Sequence, residues 1–305
     1  MQPPPLLDRL RPGDHLCWSF REDTAFETLC AGYVSGAARD GDRVLVVTDS
    51  RTPDQVVGTL DRAGVGASRL VDDGVLVVRT TDEHYLPDGA FDPSRTTRRW
   101  RDDIGAAARD GHRGLRVLAD MRWTSRTPAA GLPALVQYEA ELNSVFAEGF
   151  ARVICAYDGR RLDRNGFARI SQAHPATMPR DADVADRADW WSPLLRAAWL
   201  DVDRRRLALA GECDLSNREA LRALLDGLTD PETGGADPVL DVHDLTFVDV
   251  DSAAVIVAVA ARLGRLRVVG ARGPVLRVLA FAGARRAPGL VFVDREEAAA
   301  SRADR

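Results

Sequence analysis

The sequence predicts an α/β protein of two domains. The first has a mostly parallel sheet with helices on both faces, and a smaller α/β unit follows. Three observations carry this. Apolar runs of about six residues alternate with helical stretches through the first half. A charged stretch with two prolines and no periodicity, HPATMPRDADVADRAD, interrupts the alternation at residues 174–189. The alternation then resumes after a strand-rich start. A length of 305 residues suits two domains better than one, and a hydrophobic share of 45% can furnish two cores.

The elements follow in order. HLCWSF (15–20) reads as a short apolar strand, and 24–38 as a helix that Asp23 or Thr24 can cap. RVLVVT (43–48) is continuously apolar, the mark of a strand buried on both faces. Residues 53–63 read as helix, 75–79 as strand and 94–110 as helix. LRVLA (115–119) and ARVICA (151–156) are two more buried strands, with a helix over 133–148 between them. Helices between successive strands make the sheet parallel. The second half holds WLDV, RLALAG, a helix over 217–228, PVLDV, a helix over 252–263, RLRVV, a helix over 274–282 and GLVFV. The domains are therefore placed at 1–175 and 197–295, with a linker at 176–196 and a tail at 296–305. Trp190 and Trp191 are expected to pack onto one of the domains.

Composition narrows the function. The net charge is −5, with acids interleaved among the arginines, which argues against a nucleic-acid surface. No apolar stretch approaches the roughly 20 residues that span a bilayer, and the N-terminus lacks a secretory pattern. No membrane is expected as a partner, and a cytoplasmic location is expected. There the four cysteines, which form no CxxC pair, are reduced thiols. The chain has no lysine; all 41 basic residues are arginine. This excludes a phosphate-gripping P-loop lysine, a lysine Schiff base and a lysine general base. No cofactor is indicated.

In the second half, GECD (211–214) and LTFVD (245–249) each join a strand to a helix. They resemble the GELD and LxFxD motifs of STAS domains, the anti-sigma factor antagonists, and the order of elements over 199–293 also fits. The resemblance implies a small mixed sheet with helices on one side, which binds a partner rather than catalysing. It also implies that a partner kinase, often itself an anti-sigma factor, phosphorylates a Ser or Thr at the start of the helix. The added charge of roughly −2 repels that partner. Aligning Asp249 on the family's aspartate puts Asp251 at the phospho-acceptor and Ser252 where glycine is usual. Three readings stand: Asp251 or Ser252 is simply the helix N-cap; the loop is permanently charged; or Ser252 takes the phosphate one position late. A one-residue shift turns a helical side chain by about 100°, which favours the first two.

In the first half, the loop after the first strand is REDT (21–24), with two carboxylates and neither glycine nor lysine. LRVLAD nevertheless ends in Asp120 as a Walker B strand does. The domain thus reads as a RecA-like sheet that is not an ATPase. GDHLCWSF, YLPDGAFDP, DMRW, YEAELN and ICAYDGRRL, closing at AHP (173–175), run in order through residues 13–175. They resemble the MEDS sensory domain of methanogen and methylotroph regulators. The resemblance implies sensing of a small organic molecule. His15 and Cys17 share one side of a strand. With Asp120, Trp123, Tyr157 and Asp158 they are expected to line a ligand crevice near the carboxyl ends of the strands.

Other readings exist for the same residues. His15 and Cys17 could be metal ligands, completed by Cys155, Asp120 or Glu139. They could instead serve a metal- or thiol-dependent hydrolase with Asp120, although i and i+2 on a strand are poorly spaced for a dyad. The simplest assignment gives no metal, with Cys155 as core and Glu139 and Glu141 on a solvated helix face. Pro87-Asp88-Gly89 reads as a turn, and His84, His112 and His243 lack visible partners. The expectation is a non-catalytic signal transducer in transcription regulation. The first domain senses a small organic effector, and the second binds an anti-sigma factor or related kinase through Asp249, Asp251 and Ser252. A homodimer is left open.

Overall fold

Alternating strand residues divide between two cores, and this division builds the first domain. The computed structural model describes residues 7–126, 131–178, 194–228 and 237–295. The first domain comprises β1 (His15–Phe20), α1 (Asp23–Asp40), β2 (Arg43–Thr48), α2 (Pro53–Arg62), α3 (Ala67–Asp72), β3 (Leu76–Thr80), α4 (Thr81–His84), α5 (Pro93–Arg109), β4 (Leu115–Asp120), α6 (Leu132–Phe146), β5 (Ala151–Asp158), α7 (Arg164–Gln172) and β6 (Ala176–Thr177). The sheet order is β3-β2-β4-β5-β1-β6, and every pairing is parallel. Leu16, Trp18, Phe20, Val44, Val46, Leu118 and Ile154 face α1–α3. Cys17, Leu45, Val47, Val117, Ala119, Val153, Cys155 and Tyr157 face α5–α7. Helices on both faces explain why these strands are apolar at every position.

The second domain comprises β7 (Leu195–Trp199), β8 (Arg206–Cys213), α8 (Arg218–Asp226), β9 (Val239–Val248), α9 (Val250–Leu263), β10 (Leu266–Val269), α10 (Gly273–Phe281) and β11 (Leu290–Val293). Its sheet order is β11-β10-β9-β8-β7, with β7 antiparallel to β8 and the rest parallel. The runs PVLDV and LTFVD, read separately from sequence, form one strand, β9. Two register shifts between β8 and β9, with the extra residue on β9 each time, absorb the intervening polar residues. Asp241 accepts from the His243 amide and the Thr246 hydroxyl donates to Gly211 O, so the irregular backbone is satisfied. Gly211 itself has φ +91°, and a Cβ there would overlap the Leu194 carbonyl.

β6 lies just past residue 175 and adds a strand beside β1, while β7 begins two residues before 197. Most of the expected linker, with Trp190 and Trp191, and the tail from 296 lie outside the described residues. No helix among the described residues is long and apolar enough to cross a membrane. The domains meet where α6 packs on α8. Trp199 donates from its backbone to Ala147 O and from its indole to Ser144 O, and Arg196 pairs with buried Asp14.

Expected caps changed in two places. α1 begins after Glu22, without a side-chain cap, because the Asp23 carboxylate is drawn to Arg122 and Arg160 instead. α9 is capped by Asp249, not by Asp251 or Ser252: its carboxylate accepts from the Ser252 amide at 2.7 Å.

His84 is buried with both ring nitrogens lacking hydrogen-bond partners. Burial first, then the charges of Arg79 and Arg99, lower its pKa to about 3. The nearest carboxylate, Asp103, is 3.9 Å away. The unfolded chain binds this proton more readily than the folded one, so this contribution is whole above about pH 6.5 and is lost as the pH falls towards 3. Thermal unfolding followed from pH 7 to pH 5 should show a falling Tm, with a shallower slope in His84→Phe. An identical slope in the variant would refute the assignment.

Candidate functional site

Helix α6 presents an acid to the sheet. Glu139 lies on the buried stripe with Leu135, Tyr138, Leu142, Asn143 and Phe146 and is 0% exposed, contrary to its expected place on a solvated face. That spacing was the available signal, since Leu135, Leu142 and Phe146 mark the inward face. Glu141, by contrast, is exposed. Glu139 Oε1 accepts from the Tyr157 hydroxyl at 2.8 Å. Its Oε2 lies 3.4 Å from His15 Nε2, 3.4 Å from His174 Nε2 and 3.8 Å from Cys155 Sγ. His15 Nε2 is also 3.4 Å from Cys155 Sγ, and the two imidazole centroids are 4.3 Å apart.

Burial, reinforced by His174, pushes the His15 pKa down, so the ring is neutral at pH 7. Burial, with the Glu139 charge, pushes the Cys155 thiol well up. A thiolate nucleophile is disfavoured at either Cys155 or Cys17, whose thiol is raised in the same way.

The six residues expected in one crevice therefore separate. His15 is the first residue of β1, at its amino end, and Cys17 is mid-strand; neither lies at a carboxyl end. Both are fully buried, and Tyr157 joins them through Glu139. Asp120 and Asp158 do end their strands, but each is taken up by arginine. Arg122 chelates Asp120 at 2.6–3.0 Å, and Arg160 chelates Asp158 at 2.8 Å. Both guanidiniums also reach Asp23, at 3.2 and 2.9 Å. Burial alone would raise the Asp158 pKa, but the Arg160 bonds outweigh it and lower it.

Trp123 stacks on Tyr85 at 4.9 Å and lines a cavity of about 240 Å³. Phe91, Leu132, Leu135 and Leu162 supply its apolar wall, and Arg161 and Asp163 its polar groups. His15, Cys17 and Tyr157 do not line it. A wider groove of about 940 Å³ between α1 and α2 is open and faced by charged Glu27, Arg51, Asp54 and Arg62. Its polar lining suits a small apolar molecule less well than the cavity at Trp123.

In the second domain, Asp251 is exposed and 3.3 Å from Arg218, whereas Ser252 is buried with its hydroxyl unpaired. Leu215, Phe247 and Val250 are exposed around the same strand ends. The Asp249 amide donates to Cys213 O, tying this loop to GECD.

Comparisons with known proteins agree with this two-part architecture. The family model "MEDS: MEthanogen/methylotroph, DcmR Sensory domain" matches residues 14–175, and "Mlab, STAS domain" matches residues 200–292. No curated protein matches the chain. Among solved structures, the chain is similar to the flagellar accessory protein FlaH from Methanocaldococcus jannaschii. The two are 13% identical, covering 59% of this chain and 77% of that one, with a TM-score of 0.42. A KaiC-like protein from Pyrococcus horikoshii OT3 is 12% identical, covering 54% and 70%, with a TM-score of 0.41. The chain belongs to the MEDS family, its sensory domain being followed by a STAS domain.

Proposed function

We propose that the protein is a non-catalytic cytoplasmic signal transducer. A small, largely apolar organic effector enters the cavity beside Trp123, and the STAS domain binds an anti-sigma factor or related kinase. One observation carries the coupling. Leu132 and Leu135 of α6 line the cavity, while Ala140, Ser144 and neighbouring residues of the same helix meet α8. Rotation or displacement of α6 would therefore be felt directly by the STAS domain. Four buried free cysteines suit a reducing compartment.

The partner surface is proposed around Asp251, with Leu215, Phe247 and Val250 as apolar contacts. Asp251 carries about −1, against −1.5 to −2 for a phosphate. It sits in the first turn of α9, where a negative charge gains about 0.3–1 kcal/mol. The loop is thus held in one electrostatic state, and regulation arrives from the first domain.

Three measurements test this. Thermal-shift screening of the full chain against small apolar organic molecules should find ligands that raise Tm. Leu162→Trp, which fills the cavity, should abolish the shift without lowering basal Tm; an undiminished shift would move the effector elsewhere. Titration calorimetry with Mg-ATP should be flat, because Asp23, Asp120 and Asp158 already engage both Arg122 and Arg160 and outnumber them at the start of α1. Micromolar binding there would contradict this. Incubation with a cognate kinase should leave residues 245–260 unphosphorylated, while Asp251→Ser should become a substrate. Phosphate on Ser252 of the native chain would restore the usual switch.

A further inference from the structure

We propose that His15, Glu139, Cys155 and His174 form a closed tetrahedral site for a zinc-class divalent ion, independent of the effector cavity. The four ligand atoms lie within 4.8 Å of one another, and all four residues are buried. Zinc bonds of 2.0–2.3 Å at tetrahedral angles require ligand–ligand edges of about 3.3–3.8 Å. Four of the six separations, 3.4, 3.4, 3.4 and 3.8 Å, fall in this range, and the other two, both from His174, lie within 4.8 Å, so that closing on an ion needs at most a small inward shift of that ring. A charge-assisted N–H···O bond would be shorter, about 2.7–2.9 Å.

The hydrogen bonds around the cluster assign its protons. The Asn143 amide nitrogen donates to Ala140 O at 2.9 Å and to Ala173 O at 2.8 Å, so its oxygen can only accept. His15 Nδ1, 2.8 Å from that oxygen, must therefore carry the proton. His174 Nδ1 is 2.9 Å from Ile170 O and must donate as well. With each ring as its neutral Nδ1–H tautomer, both Nε2 lone pairs face a carboxylate oxygen that also accepts, and His174 Nε2 is buried without a hydrogen-bond partner. Two bare imidazole nitrogens, a carboxylate and a sulfur converge with a single thiol proton among them. A cation resolves this. The outer bonds to Asn143, Ile170 O and Tyr157 are those that orient metal ligands.

Two nitrogens, a sulfur and an oxygen favour zinc or cobalt over magnesium or calcium. On binding, Cys155 releases its proton to solvent, and its thiolate with the Glu139 carboxylate balances the ion's two charges, so no net charge is buried. Four protein ligands leave no open position, which makes the site structural rather than hydrolytic. The ligands come from β1, α6, β5 and the turn before β6. The next residue, Pro175, accepts from the Leu195 amide and the Asn217 side chain, so the ion would fasten the point where the first domain meets the second.

The test uses the full chain, stripped of metal and then loaded with Zn²⁺ or Co²⁺. Elemental analysis should find about one zinc per chain. The cobalt form should show a thiolate-to-metal charge-transfer band and the intense visible bands of tetrahedral Co²⁺. Cys155→Ser should lose the charge-transfer band, whereas Cys17→Ser, outside the cluster, should keep it. Asn143→Ala should weaken metal affinity about 10–100-fold. A folded wild-type chain that takes up no stoichiometric zinc and gives no cobalt–thiolate band would overturn the proposal, as would undiminished binding in both Cys155→Ser and His174→Ala. The wild-type measurements decide the matter even if a variant fails to fold.

Discussion

A carboxylate buried without solvent, Glu139, is the constraint around which the first domain is arranged. An ionised group in such a place costs several kcal/mol unless it is paired and hydrogen-bonded. The fold answers by bringing β1, β5 and the end of α7 to one point on α6. Tyr157 satisfies one oxygen, and two histidines and a thiol surround the other. These partners are separated by up to 159 residues along the chain, so the acid gathers groups from distant parts of the sequence.

The opposite, carboxyl edge of the sheet follows a different electrostatic logic. Related α/β folds can receive phosphate there through glycines and a lysine. Here Asp23, Asp120 and Asp158 share Arg122 and Arg160, so both guanidiniums are already engaged by carboxylates. On the flank of the sheet, Trp123, Phe91 and α6 instead enclose a cavity with an apolar wall. One helix, α6, thus lines the cavity, carries the buried acid and packs against the second domain. The STAS domain in turn places an exposed acid, Asp251, beside exposed apolar side chains at the strand ends, while the neighbouring hydroxyl of Ser252 is sealed inside.

Much of this was legible in the sequence. Apolar runs between helical stretches set a parallel sheet covered on both faces, because a strand without a polar face must be buried twice. GECD and LTFVD marked the second domain, and the missing lysine with the REDT loop excluded a P-loop grip, since those are properties of residue chemistry alone. The i, i+2 rule correctly placed His15, Cys17 and the same side of the sheet together. What the sequence could not decide was convergence. Glu139 looks like any helix acid until α6 is seen with that face inward, and His174 is only the end of a motif until α7 returns it to β1. Asp120 and Asp158 invite a ligand until Arg122 and Arg160 are found already bound to them. Residue type and period determine which elements form and which face is apolar. Which side chains meet depends on helix rotation and strand order, and those are settled only when the whole core packs.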